Sequence, residues 1–157
     1  MSTELDMLKI SVNASAQRVA KLRQSVAKVQ HLFPLGLPGA AALTDDEEES
    51  IDALILRYSQ CVSMIQDQLF RGIAYLEQED ISDKSNRDKS LLMERLGAIQ
   101  SAEDFGTAAM LRNKFSHHYP EESFVRLQRL NLAVDESRFV ISTFENIVEY
   151  LQRKGFN

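Results

Sequence analysis

The eight residues RNKFSHHY, numbered 112–119, combine a strong cation, an amide, two imidazoles and a phenol. Two of the three histidines of the chain lie here, and the third is His31. A histidine transfers protons near neutral pH, and an arginine stabilises negative charge on phosphate oxygens. These residue types suit phosphate chemistry, with Arg112, Asn113 and His117 as the candidate catalytic group.

Two interpretations of this stretch stay open from the residues alone. On a helix over 102–116, Arg112 falls near the middle of an apolar stripe, where a buried guanidinium needs a partner. A purely structural interpretation is a polar helix end, in which the arginine extends its charged group to solvent and a histidine completes the cap. A sharper one is that Arg112, Asn113 and His117 converge on a cleft.

The charge distribution leaves room for an anionic partner although the net charge is −5. Six acids and no base lie in residues 44–52, and the rest of the chain has a net charge of +1. Residues 111–130 carry four Lys/Arg and two Glu. The acidic run suits the first turn of a helix, where negative charge favours the macrodipole.

Composition favours one helical domain in a reducing compartment. The chain has 157 residues with only six Gly and three Pro, and its one cysteine, Cys61, excludes a disulfide framework. Cys61 falls in an apolar periodic stretch, which predicts a core residue. The N-terminus has no apolar segment typical of a signal peptide, and no apolar run approaches the roughly 20 residues that span a bilayer. We therefore expect a cytoplasmic protein with no membrane partner.

Apolar residues recur at alternating spacings of three and four, which predicts helices with one apolar stripe each. In the first helix the predicted stripe includes Val12, Ala16 and Val19. The predicted helices cover 4–33, 44–76, 87–99 and 102–116, and a last one begins at Pro120 and extends to about Leu151. The segment 34–39 is a predicted break, and Thr44 with Glu47 forms a predicted capping box. No segment alternates at period two. The sequence predicts an all-α fold, an up-and-down helical bundle of about five helices in a single domain over 1–157.

The motif resembles that of the HEPN superfamily, in which an arginine precedes a histidine by four to six residues and a polar residue often follows the arginine. More narrowly it resembles HepT-type toxins, with the pattern Arg-x4-His-x-Tyr. Arg112, His117 and Tyr119 match that spacing, and Asn113 is the polar residue. His118 meets the looser superfamily spacing, but the position of the tyrosine selects His117. The resemblance implies a HEPN-like bundle.

The resemblance also implies a metal-independent ribonuclease with RNA as its substrate and no cofactor. Such proteins form homodimers in which both motifs line one cleft. In that scheme Arg112 neutralises the scissile phosphate, His117 acts on the 2′-hydroxyl or the leaving oxygen, and Asn113 orients the group. Further cations near the motif are weaker candidates for contacts with RNA phosphates: Lys114, His118, Arg126 and Arg129. The sequence has no Cys cluster or His-x3-His spacing, and we predict no metal site.

In HepT-type systems a cognate minimal nucleotidyltransferase is the antitoxin, and it attaches AMP to the motif tyrosine. The matching residue is Tyr119, so the resemblance implies AMPylation there. An added phosphate near His117 blocks an RNA phosphate by its bulk and its charge.

Two alternative functions remain open from the sequence. The chain is a candidate for a non-catalytic, nucleotide- or substrate-binding partner subunit of a nucleotidyltransferase. Polar residues of the second predicted helix suit that role: Tyr58, Gln66, Asp67, Gln68 and Arg71. The other alternative is a helical scaffold, in which the motif is only a polar network in the fold.

Overall fold

The computed structural model describes residues 3–116 and 123–156, except for the side chain of Ser123. Over these ranges the chain consists of helices and short connections, with no strand. The predicted all-α class is therefore confirmed. The five predicted helical segments all occur, with differences at their ends that have local physical causes.

The N-terminal region contains one long helix and one short helix. Helix α1 covers Thr3–Val29, a 3-10 turn follows at Gln30–Leu32, and α2 covers Leu37–Ala41. The predicted first helix thus ends earlier than expected, and the predicted break contains a short helix. Pro38 stands in the first turn of α2, where the missing N–H costs no helical hydrogen bond.

The second predicted helix is continuous over 45–76 and contains one π-helical turn. Helix α3 covers Asp45–Met64, a π-helical segment covers Ile65–Leu69, and α4 covers Phe70–Leu76; we call the whole the α3–α4 rod. The Phe70 N–H donates to the Ile65 carbonyl, five residues earlier. The capping box is present: Glu47 N–H donates to Thr44 Oγ1 at 3.1 Å, and Thr44 N–H donates to Glu47 Oε1 at 2.9 Å.

The remaining helices carry the motif region. Helix α5 covers Asn86–Leu96 and ends three residues before the predicted end at 99, because Gly97 takes a left-handed conformation at φ 89°. Helix α6 covers Ala102–Ser116, and Asp104 N–H donates to Ser101 Oγ at its start, at 3.0 Å. Helix α7 covers Ser123–Arg153, and its predicted start at Pro120 lies outside the described residues.

Aromatic pairs set the direction of α6 against the α3–α4 rod. The Phe70 and Phe105 ring centroids lie 5.0 Å apart, and those of Tyr58 and Phe115 lie 6.2 Å apart. The earlier residue of the rod, Tyr58, meets the later residue of α6, Phe115. Helix α6 therefore runs antiparallel to the rod. Helix α1 packs against α3 and α7, and α3 also packs against α6 and α7. This arrangement agrees with the predicted up-and-down bundle.

Two predictions about the core have opposite outcomes. Cys61 is buried as predicted, and burial raises the pKa of its thiol to about 12, so it stays protonated at neutral pH. In α1 the expected stripe residue Ala16 is exposed, and its neighbour Ser15 is buried instead. The Ser15 side chain therefore replaces an apolar one at that level of the core.

Candidate functional site

Arg112 is held against the α3–α4 rod by a hydrogen bond to another helix. It lies on the last turn and a half of α6, and its side chain is half-buried. Its Nη1 donates to Ser63 Oγ at 2.8 Å. The partner expected for an arginine in an apolar stripe is therefore a neutral hydroxyl on α3.

Asn113 supplies a second set of contacts to the same guanidinium. Its Oδ1 accepts from Arg112 Nε at 3.2 Å and from Nη2 at 2.9 Å. The amide oxygen therefore covers one edge of the guanidinium. Asn113 itself is exposed, so this edge faces the surface of the bundle.

The guanidinium retains capacity for an anion. Of its five N–H groups, three bond to Ser63 and Asn113, and the other two have no partner within residues 3–116 and 123–156. One of these two lies on each terminal nitrogen. One N–H group on each terminal nitrogen can bind two oxygens of the same phosphate when the two N–H groups point the same way.

A buried hydrogen bond between α3 and α6 lies one helical turn before Arg112 on α6. The buried Tyr58 hydroxyl donates to the Ala108 carbonyl at 2.6 Å. Burial is the main reason why the pKa of Tyr58 is raised; the charge of Glu136 raises it further, and the charge of Arg112 opposes the shift. Tyr58 stays protonated at any physiological pH and continues to donate. Its contact fixes the α6 turn that precedes Arg112.

The predicted site residues differ in what the structure says of them. Arg112 and Asn113 lie in direct contact, whereas His117, His118 and Tyr119 lie outside the described residues. Lys114 and Arg126 are exposed, and Arg129 is half-buried. The described part of the site is thus the arginine with its amide and hydroxyl partners.

Sequence reasoning missed Ser63. It lies 49 residues before Arg112, on a helix whose neighbour could not be known from the pattern. The only local signal in the sequence is that Ser59 and Ser63 are one helical turn apart, which places two hydroxyl groups on one face of the predicted helix. That signal identifies an interface but not its partner.

The polar residues suggested for nucleotide binding form no single site with Arg112, because Tyr58 lies near Arg112 whereas Asp67, Gln68 and Arg71 lie against α1. Tyr58 and Gln66 are buried. Asp67, Gln68 and Arg71 line a crevice of about 80 Å³ against α1. That volume is far below the several hundred Å³ of ordinary ligand pockets, so the crevice does not support the suggestion.

A larger cavity lies at the far end of the rod. It measures about 520 Å³ and is lined by residues of α1 and α4 and of the turn after α4, among them Leu5, Tyr75 and Asp80. Among the described residues, none of the predicted site residues lines this cavity.

Over 3–116 and 123–156 no group of three or more His, Cys, Asp or Glu is placed to hold a metal ion. No helix in those ranges is long and apolar enough to cross a membrane.

Comparison of the chain with protein-family models, with curated proteins and with solved structures gives no match.

Proposed function

We propose that the protein is a metal-independent endoribonuclease toxin of the HEPN type. The observation that carries the proposal is the held guanidinium of Arg112, which has one N–H group on each terminal nitrogen without a partner among the described residues. It lies five residues before His117, at the spacing of the Arg-x4-His-x-Tyr motif. A held cation near a proton-transferring imidazole meets the minimum needs of RNA cleavage.

The reaction uses a nucleophile that RNA itself carries. The 2′-oxygen attacks the adjacent phosphorus, the bond from phosphorus to the 5′-oxygen breaks, and the products are a 2′,3′-cyclic phosphate and a 5′-hydroxyl. His117 accepts the 2′-proton or supplies a proton to the leaving oxygen. Arg112 stabilises the charge that develops on the phosphate oxygens, and Asn113 holds the guanidinium in place.

We propose a homodimer in which two copies of the motif line one cleft. Large apolar side chains are exposed on both sides of the motif: Met110 on α6 and Phe124 on α7 are each 58% exposed. Exposed large apolar side chains are candidates for a protein interface, and these two flank the motif in the sequence. Light scattering at micromolar concentration is expected to give a dimer, and Met110→Asp with Phe124→Asp is expected to give monomers. A monomeric wild type contradicts the shared cleft.

We further propose that a minimal nucleotidyltransferase is the antitoxin and that it attaches AMP to Tyr119. The phosphate of AMP, two residues from His117, would compete with RNA phosphate for the two N–H groups of Arg112. Mass spectrometry of the chain after coexpression with such an enzyme is expected to show one AMP, absent in Tyr119→Phe.

The decisive experiment is cleavage of labelled RNA by the purified protein in excess EDTA. We expect cleavage by the wild type and a loss of at least about 10²-fold in Arg112→Ala and in His117→Ala. His31→Ala is the matched control, because His31 is an exposed histidine outside the motif. Circular dichroism checks that each variant keeps its helices.

The outcomes separate the proposed function from its alternatives. Undiminished cleavage by Arg112→Ala,His117→Ala contradicts the proposal. Nucleotide binding that requires Arg112, without RNA cleavage by the wild type, supports the partner-subunit function. If Arg112→Ala only lowers the thermal stability, the motif is a structural network.

A further inference from the structure

Ser63 is the described contact that ties the Arg112 guanidinium to a different helix. The bond from Nη1 to Ser63 Oγ measures 2.8 Å and is partly buried. The other described partner, Asn113, is the next residue on α6 and moves with Arg112. Of these two partners, only Ser63 can hold the guanidinium in a fixed orientation relative to α3.

The position of Ser63 is itself well fixed. Five residues earlier on α3, Tyr58 donates to the Ala108 carbonyl at 2.6 Å, and its ring meets Phe115 edge-on. These contacts join α3 to α6 on both sides of the Arg112 turn. The Ser63 hydroxyl therefore stands at a set place relative to the Arg112 backbone.

The effect of this bond is to decide which N–H groups remain for a ligand. With Ser63 and Asn113 as acceptors, each terminal nitrogen keeps one N–H group. Without the Ser63 oxygen, Nη1 has two uncommitted N–H groups, and the long side chain regains rotamer freedom. A guanidinium that turns freely presents its fork to a phosphate for only part of the time.

We infer that Ser63 is a positioning residue: its hydroxyl holds the Arg112 guanidinium so that the two remaining N–H groups form one bidentate anion site. The role in cleavage rests on the proposed ribonuclease function. The role in orientation does not, because it depends only on the contact between Ser63 and Arg112.

The test uses Ser63→Ala, which removes the hydroxyl, and Ser63→Thr, which keeps it. Ser59→Ala is the matched control, since Ser59 is half-buried one turn earlier on the same helix. Alanine is a better helix former than serine, so Ser63→Ala is expected to fold. Each variant of the 157-residue chain is measured by NMR of the Arg112 side-chain nitrogens and by steady-state cleavage of RNA.

We expect the Arg112 side-chain NMR signals of the wild type and Ser63→Thr to show restricted rotation, and those of Ser63→Ala to show faster rotation. In cleavage, Ser63→Ala is expected to lose about tenfold in kcat, with KM changed by less than about threefold. Ser63→Thr is expected to restore kcat to within about threefold of the wild type, and Ser59→Ala to match it. This pattern assigns the effect to the hydroxyl and to the reaction step.

Two results overturn the inference. One is unchanged Arg112 rotation in Ser63→Ala, whatever the cleavage rate. The other is a loss of kcat that Ser63→Thr does not restore. If the wild type cleaves no RNA, the proposed function fails separately, and the NMR comparison of Ser63→Ala with Ser63→Thr still decides whether Ser63 orients Arg112.

Discussion

Two hydrogen bonds between side chains of α3 and residues of α6 differ in whether the donor group has further protons to offer a ligand. Tyr58 donates its hydroxyl proton to the Ala108 carbonyl in a buried contact. Five residues further along α3, Ser63 accepts from Arg112 at a half-buried level. The first contact uses the only proton of the hydroxyl. The second involves a guanidinium with further N–H groups to offer.

The difference shows how one interface serves both stability and binding. A buried polar group is costly unless it is bonded, and the Tyr58 contact avoids that cost without adding any binding capacity. A half-exposed arginine keeps access to water, so its uncommitted N–H groups carry little penalty and remain available to a ligand. Substitutions in the two contacts should therefore change different measured quantities.

The largest expected effect comes from Arg112→Lys. Lysine keeps the charge but loses the planar fork and cannot bond Ser63 and Asn113 in the same way. We expect RNA cleavage to fall about 10²-fold, corresponding to about 2.7 kcal/mol in the activation free energy. Arg71→Lys is the control, because Arg71 is an exposed arginine on α4. Cleavage by Arg112→Lys at the wild-type rate would show that charge alone suffices.

The second effect concerns stability. Tyr58→Phe removes the hydroxyl and leaves the buried Ala108 carbonyl without that donor. We expect the free energy of unfolding to fall by about 1–2 kcal/mol, measured by urea denaturation. The cleavage rate of the folded protein should stay within about threefold of the wild type. If the cleavage rate of the folded Tyr58→Phe protein falls by much more than about threefold, the Tyr58 contact serves the reaction as well as stability, and the two contacts do not have separate roles.

The third effect separates orientation from charge at Asn113. Asn113→Ala removes the oxygen that accepts two bonds from Arg112 and is expected to lower cleavage about tenfold. Asn113→Asp keeps the oxygen but neutralises part of the cation's field, so we expect at least as large a loss. Steady-state kinetics measure both. Cleavage by Asn113→Asp at the wild-type rate would mean that only the acceptor matters.

The smallest expected effect is a pH dependence of the free energy of unfolding. It arises from Glu136 on α7, whose charge acts on Tyr58. Burial raises the pKa of Glu136 in the folded protein, the charges of Asp104 and Asp135 add to the shift, and Glu136 Oε2 is buried with no partner among the described residues. The folded state thus favours the protonated form. The charged form lowers stability above the raised pKa, and this cost vanishes below the unfolded value of about 4.3.

Glu136→Gln is therefore expected to raise the free energy of unfolding at pH 7 by up to about 1 kcal/mol, because the half-exposed carboxyl is screened by solvent. The gain over the wild type should shrink as the pH falls toward 4. Thermal unfolding at several pH values measures it. A gain that is independent of pH would assign the effect to packing instead of charge.

Local signals in the sequence account for most of the helical segments. Thr44 and Ser101 fix helix starts because their side chains bond backbone N–H groups three residues later. Gly97 ends α5 in a left-handed conformation, whereas the apolar spacing predicted that the helix continues to 99. The π-helical turn at Ile65–Leu69 and the burial of Ser15 in place of Ala16 follow no local pattern. Both depend on how neighbouring helices fit together.

The sequence alone determined that Arg112 lies in an apolar stripe of a helix and needs a partner, because helical periodicity fixes which residues share a face. Only the tertiary structure decided that the partner is Ser63, 49 residues away. That pairing depends on the axial offset between α3 and α6, which the packing of the whole core sets. No spacing within either helix encodes it.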